Sequence, residues 1–462
     1  MQNKLKEFPW EILVILLFLF MSITSCSRYT INFDEFFTMQ WCRSSWHDFF
    51  YEVLHDTSPF LYYFMIRPFA IFTGQSILMA RLFSLAALFI LFMIGITFVK
   101  KNHGPKAMFF YLFILYLNPF MLQKSTEIRM YVWASAFTLL AGVFCYKLFV
   151  TPSRKNWILF TLYSLSAACT HYYAVLTMIF LYLGLLTYFI YIHNKKELKN
   201  CILCSLVTVV AYIPLLLIAI AQIRESNGGW IHEPTSRLAP LKELFYSEIS
   251  GSEYFYLTVL AGITLFSIFL LIRHKNVIYY WSFVCCSAIW GIMAVGILSA
   301  ALGKPIMLSR YLIMPVCLLF LGAGSVVRHI NKYIILLLCL SFALIGGIRY
   351  KASLETMHRD HTVETLEFAK EHIAEGDKIV LISGDDYLYN CTAYYIPQAD
   401  IFYTGSFDPK QLKEENLCEF WFFDNGDYLS ANELDLADFS IEKFGQYQFG
   451  YLRMNIYRMK AF

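Results

Sequence analysis

Residues 10–37 read WEILVILLFLFMSITSCSRYTINFDEFF. Seventeen residues with a single charge, Glu11, give way to a short polar turn and then to two adjacent carboxylates, Asp34 and Glu35, set among aromatics. The apolar stretch has the composition of a helix that crosses a bilayer, for which about 17–25 apolar residues suffice. It has no convincing small-residue cleavage site, so it reads as a retained helix rather than a signal peptide. How often this pattern recurs decides the fold.

It recurs about eleven times: Trp10–Cys26, Ser76–Val99, Ala107–Gln123, Tyr131–Val150, Trp157–Thr170, Tyr173–Ile192, Cys201–Ala221, Phe255–Ile272, Val277–Ala300, Tyr311–Val327 and Tyr333–Ile348. The composition agrees, with 58% hydrophobic and only 15% charged residues in a chain of 462; a soluble domain carries about 25% charged residues. With Lys4 and Lys6 on the cytoplasmic side, every second gap should be basic. Those gaps hold Lys100, Lys101 and Lys106, then Arg154 and Lys155, then Lys195, Lys196 and Lys199, then Arg273 and Lys275, then Arg328 and Lys332. The opposite gaps collect Asp34, Glu35, Asp48, Glu52, Asp56, Glu127, Glu225, Glu233, Glu243, Glu248 and Glu253. The positive-inside rule predicts a multi-pass protein of the plasma membrane with a cytoplasmic N-terminus. A net charge of only +3 excludes a basic nucleic-acid binder as the default.

Residues 28–75 form a long first outer loop rich in Phe and Trp, suited to helices lying in the membrane interface. Residues 222–254 form a second, with turn signals at Asn227, Gly228, Gly229, Pro234 and Pro240. Beyond Ala352 the chain turns soluble in character. Thr365–Ala374 is expected to be helical, and Lys378–Ser383, Phe420–Phe423 and Tyr451–Tyr457 to be strands. The predicted organisation is a helical transmembrane domain, 1–351, followed by a small extracytoplasmic α/β domain, 352–462. The twelve cysteines lie mostly inside spans, and the CxxC pair Cys201 and Cys204 lacks partner ligands, so they read as packing residues.

The residues able to do chemistry cluster at the outer span ends. A carboxylate near the bilayer surface, partly desolvated by aromatics, can act as a general base. Neighbouring helical residues do not share a face, so one of Asp34 and Glu35 is expected to enter a site, with Asp34 preferred; the bland alternative is a helix cap made by Asp34. Asp56 precedes a Ser58-Pro59 step and could serve only to cap the next helix. Glu127 and Arg129 are two residues apart, cannot pair well on a helix, and need other partners. His171 stands between two spans, and Arg310 and Tyr311 open another, with Lys304 six residues before Arg310.

Taken in order, FDEFF, HDTSPFLYYF, GQSILMARLFS, EIRMY, THYYA, NGGWIHEP and SRYLIMP resemble the motifs of membrane-embedded GT-C glycosyltransferases, the group that includes protein O-mannosyltransferases and the lipid A aminoarabinose transferase. The resemblance runs over residues 10–350. It implies a polytopic α-helical GT-C-like fold, a catalytic acid at Asp34 with Glu35 beside it, and a second loop acid at Asp56. The family commonly has a double proline where this chain has Ser58-Pro59. It further implies a polyprenyl-phosphate-linked sugar as donor and a lipid, glycan or protein as acceptor. A phosphate leaving group needs cations rather than a strong acid, and Arg310, Arg129 and Lys304 are candidates. His171, Tyr311 and Trp230 are candidate substrate contacts, each with a packing or interface-anchor role as its rival. No metal site or other cofactor is predicted, and a divalent ion is left open. Two competing functions remain: an envelope oligosaccharide ligase or polymerase, and a transporter or flippase without covalent chemistry. The latter would want ionisable groups at mid-membrane, where these spans are nearly charge-free.

Overall fold

A computed structural model describes residues 10–26, 31–225, 238–359, 362–382, 386–404, 417–425, 439–449 and 452–461. The chain divides into two units, Met1–Cys26 with Trp41–Lys351, and Ser27–Gln40 with Ala352–Phe462. Residues 28–40, which the sequence assigns to the first outer loop, thus group with the C-terminal segment.

The first unit is helical. Its elements are α1 (Trp10–Cys26), the end of α2 (Phe33–Arg43), α3 (Trp46–His55), α4 (Leu61–Phe72), α5 (Ile77–His103), α6 (Pro105–Tyr116), α7 (Pro119–Lys124), α8 (Tyr131–Val150), α9 (Arg154–Ala168) and α10 (Tyr172–Tyr191). There follow α11 (Lys195–Glu225), α12 (Ala239–Glu243), α13 (Ser252–His274), α14 (Val277–Ala301), a 3-10 turn at Ser309–Leu312 that leads into α15 (Ile313–Val327), and α16 (Lys332–Arg359). Ten of the eleven apolar runs each fall largely on one helix, and the third spans two. Eight of those helices are by themselves long and apolar enough to cross a membrane; α1 and α6 are shorter apolar helices, and the 15-residue α9, which carries the fifth run, falls in neither group. The third run, read as Ala107–Gln123, is broken at Leu117 and Asn118. Pro119 disfavours helical backbone in the residue before it, and the Asn118 side chain accepts the Met121 N–H at 2.8 Å to start α7.

The centre of the bundle is α15, where 89% of the apolar window from Ser309 to Val327 is buried, against 11% for α11. The sequence of α15, IMPVCLLFLGAGSVV, explains this: its Gly-Ala-Gly-Ser run lets neighbouring backbones approach closely. Ser282 of α14 donates to the Gly322 carbonyl at 2.8 Å, and the Trp281 indole donates to the Gly142 carbonyl of α8 at 3.0 Å. The peripheral α11 exposes a row of Leu, Ile and Val, as a lipid-facing helix does.

Before α5 the chain forms short helices. Ser45 caps α3 by accepting the Asp48 N–H at 3.1 Å, and α3 exposes Trp46, Phe50, Tyr51 and Leu54. This one-sided apolar exposure suits a helix lying in an interface. Arg67 of α4 ties the α2–α3 turn, donating to the Trp41 and Ser44 carbonyls at 2.9 and 2.8 Å.

The second unit carries α17 (Thr362–His372), β1 (Lys378–Ile382), α18 (Asp386–Tyr395), β2 (Asp400–Thr404), β3 (Glu419–Asn425), β4 (Phe439–Phe449) and β5 (Leu452–Ala461). The sheet order is β2-β1-β3-β5-β4. Strands β2, β1 and β3 are parallel, with Val380 opposite Phe402 and Phe422, while β5 runs antiparallel to β3 and β4. Continuous apolar strands such as KIVLI are those of a sheet covered on both faces, and Ile379 through Ile382 are all buried. The expected helix and three strands are α17, β1, β3 and β5, apart from Ser383 and Tyr451, which lie outside the described residues. The mixed polar pattern of β4 and the brevity of β2 hid them from the sequence reading.

Candidate active site

Helix α2 begins with a reciprocal cap. The Asn32 side chain accepts the Glu35 N–H at 2.9 Å, and the Glu35 carboxylate accepts the Asn32 N–H at 3.0 Å. This is the capping-box arrangement, with Asn32 as N-cap and Glu35 as the third helical residue. The roles thus differ from the sequence reading, in which Asp34 was the capping rival. Glu35 makes the cap and is buried, while Asp34 is half-buried on the same first turn. Both belong to the second unit.

In the first unit, Asp56 ends α3, its N–H donating to the Glu52 carbonyl at 2.9 Å. It therefore caps the preceding helix through its backbone, and the cap position of the next helix is taken by Phe60 instead. The carboxylate is left to accept a 2.7 Å hydrogen bond from the Tyr63 hydroxyl, which in turn accepts one from Arg129 at 3.2 Å. Burial raises the Tyr63 phenol well above its usual range, the positive charge of Arg129 pulling it down and Asp56 pushing it up. The phenol therefore stays protonated and couples a carboxylate to a guanidinium. Arg129 thus finds its partner on α4. Glu127 finds its own in Lys124, whose ammonium meets both carboxylate oxygens at 2.7 and 2.8 Å.

The same end of the bundle gathers the remaining motifs. His171 caps α10 by accepting the Tyr173 N–H at 3.1 Å. Its ring lies 5.1 Å from Tyr311 and 5.7 Å from Tyr131. Burial, reinforced by the charges of Arg129 and Arg310, lowers its pKa to about 3. His171 is accordingly neutral and serves as a cap and packing group rather than as a cation. Beside this cluster opens a cleft of about 310 Å³ whose lining includes Lys124, Arg310, Arg349, Gln123, Ser309 and Glu243. Three cations on α7, the 3-10 turn and α16 thus face one space. Glu127 holds Lys124, and Glu248 holds Arg349 through a direct ion pair.

Of the residues singled out from the sequence, Asp56, Arg129, His171, Arg310 and Tyr311 fall at this end of the first unit. Lys304 does not line the cleft. It is exposed in the turn after α14, where its carbonyl accepts from the Ser299 hydroxyl at 2.6 Å. Trp230 lies outside the described residues. Sequence reasoning missed Tyr63, Lys124 and Arg349. The signal for the two cations was available: both stand in segments that the charge pattern assigns to the outer side, where the topology rule depletes Lys and Arg.

No family model matches the chain, and no curated protein matches it in sequence. Solved structures do. ArnT from Cupriavidus metallidurans bound to undecaprenyl phosphate superposes with a TM-score of 0.64 at 12% identity, over 97% of this chain and 98% of that one. The apo state of the same protein gives a TM-score of 0.60 at 11% identity, over 97% of each chain. The likeness covers nearly the whole of both chains, and the chain has an ArnT-like fold, as its ordered motifs led us to expect.

Proposed function

We propose that the protein is a membrane glycosyltransferase that moves a sugar from a polyprenyl-phosphate donor to a cell-envelope acceptor on the outer face of the plasma membrane. The observation that carries this reading is the convergence of Lys124, Arg310 and Arg349 on one cleft at the end of an apolar bundle. An anionic headgroup on a membrane-bound tail is the ligand whose chemistry matches both halves of that description. The fold shared with ArnT, which has been solved with undecaprenyl phosphate, supports the same donor class.

In this reaction the acceptor hydroxyl attacks the anomeric carbon, the bond from that carbon to the phosphate oxygen breaks, and polyprenyl phosphate leaves as a stable anion. Arg310, with Lys124 and Arg349, stabilises the charge gathering on the leaving phosphate. Asp34 takes the acceptor proton as general base. Asp56, oriented by the Tyr63 hydroxyl, holds sugar or acceptor hydroxyls, and its negative charge favours the oxocarbenium character of the transition state. In this orientation the N-terminus is cytoplasmic and the C-terminal segment lies outside.

The test is transfer from a radiolabelled polyprenyl-phosphate sugar by the purified, membrane-reconstituted protein to envelope extracts. A new labelled glycoside is expected, and Asp34→Asn should reduce its formation by roughly 100-fold or more, within the span that general-base removal produces. Turnover by Asp34→Asn near the unmutated rate overturns the base assignment. Label that crosses the membrane without forming a glycoside overturns the enzyme reading in favour of a transporter.

A further inference from the structure

The first turn of α2 packs against α18 of the C-terminal segment. Cys391 and Tyr394 are three residues apart on α18 and so share a face. The Cys391 thiol lies 4.0 Å from the Ile31 carbonyl oxygen, and the Tyr394 ring meets the Phe36 ring edge-on at 5.9 Å. All four residues are buried, at 0% exposure for Ile31 and Cys391, 2% for Phe36 and 8% for Tyr394. Ile31 and Phe36 are also the residues just before the cap and at the fourth helical position, the two places from which a hydrophobic staple fixes the angle at which a chain enters a helix. Asp34 sits between them, inside the turn that Asn32 and Glu35 close.

An 11-residue helix has little stability of its own and takes its orientation from packing. We infer that α18 is the positioning element for Asp34, so that the terminal α/β segment belongs to the catalytic machinery through its grip on the acid-bearing turn. This rests on the reading of Asp34 as the base. Tyr394 is a positioning residue: its ring acts on Phe36, and Phe36 fixes the turn that aims the carboxylate. Misplacing a reacting group by about 1 Å can cost on the order of 100-fold in rate, whereas donor affinity, assigned to Lys124, Arg310 and Arg349 of the other unit, should not move.

The experiment compares turnover and donor KM for Tyr394→Ala, Tyr394→Phe, Phe36→Ala and the double variant Phe36→Ala/Tyr394→Ala, using the full chain in membranes and the donor described above. Tyr394→Ala is expected to lower kcat by roughly 10- to 100-fold with donor KM within about 2-fold of the parent. Tyr394→Phe, which keeps the ring, should restore the rate. The double variant should lose no more than its worse single parent, because both act through one contact. Full turnover by Tyr394→Ala, a donor KM that rises in step with the loss of kcat, or additive losses in the double variant overturns the inference. Should the alanine variant not be recovered folded, Tyr394→Leu keeps apolar volume without the ring edge and is read by the same criteria. Asp34→Asn separates the two failures. If it is active, the base assignment falls; if it is inactive while Tyr394→Ala and Tyr394→Leu turn over fully, only the positioning role falls.

Discussion

Tyr63 shows how much one buried hydroxyl can organise. It donates to Asp56 and accepts from Arg129, joining α3, α4 and the start of α8 through one oxygen. A carboxylate and a guanidinium that the sequence could only name separately become one hydrogen-bonded chain. His171 makes the converse point, since a histidine among tyrosines and arginines invites an assignment as a charged ligand, yet burial beside two guanidiniums holds it neutral down to about pH 3. The consequence is measurable. The unfolded chain takes up a proton on this imidazole near pH 6.5, while the folded chain does so only near its depressed pKa of about 3. The unfolded state therefore binds more protons throughout that window, and stability falls as the pH drops through it. His171→Asn, which keeps a capping side chain, should show a shallower loss of melting temperature between pH 6.5 and 4. An unchanged slope would place the acid sensitivity elsewhere.

At the scale of elements, small residues decide which faces of the helices meet. A Cβ added at Gly322 of α15 would stand 2.7 Å from the Cys285 Cβ and 3.2 Å from the Ser282 carbonyl oxygen. Neither atom is the free end of a flexible side chain, so α14 and α15 would have to separate. Gly322→Ala should therefore destabilise the bundle by roughly 1–3 kcal/mol, the usual cost of overpacking. Gly347→Ala on α16, where nothing lies within 4 Å of the added atom, should leave the melting temperature unchanged or raise it. Thermal unfolding in detergent checks both, and equal behaviour of the two variants would show that the α14–α15 contact tolerates expansion. Hydropathy located α14 and α15 along the chain to within a few residues. It carried no information on which faces meet, because both helices are apolar all round and have almost no amphipathic direction.

Across the whole molecule, the distribution of charge is the feature that links topology to function. The positive-inside reading puts the basic residues of alternate gaps on the cytoplasmic side, and Lys124, Arg129, Arg310 and Arg349 are among the cations it leaves on the other. Lys124 and Arg349 are each paired with a carboxylate, of Glu127 and Glu248, and together with Arg310 they line one cleft. Charge-assisted contacts of about 1.5–3 kcal/mol each correspond to roughly 10- to 150-fold in affinity. Arg310→Ala should raise the donor KM on that scale while acceptor KM changes less than about 2-fold; equal effects on donor and acceptor would count against a phosphate role. The sequence by itself determined the helical membrane class, the position of most apolar helices along the chain and an ordered set of motifs that matches the ArnT-like fold. All of these are carried by composition and spacing along the chain. It could not determine that Tyr63 joins Asp56 to Arg129, that Lys124 and Arg349 join Arg310, or that the turn bearing Asp34 packs with α18. Those partners are separated by up to some 360 positions in sequence, and they meet only because close packing at small residues and capped helix ends fixes how each helix is rotated and where it begins.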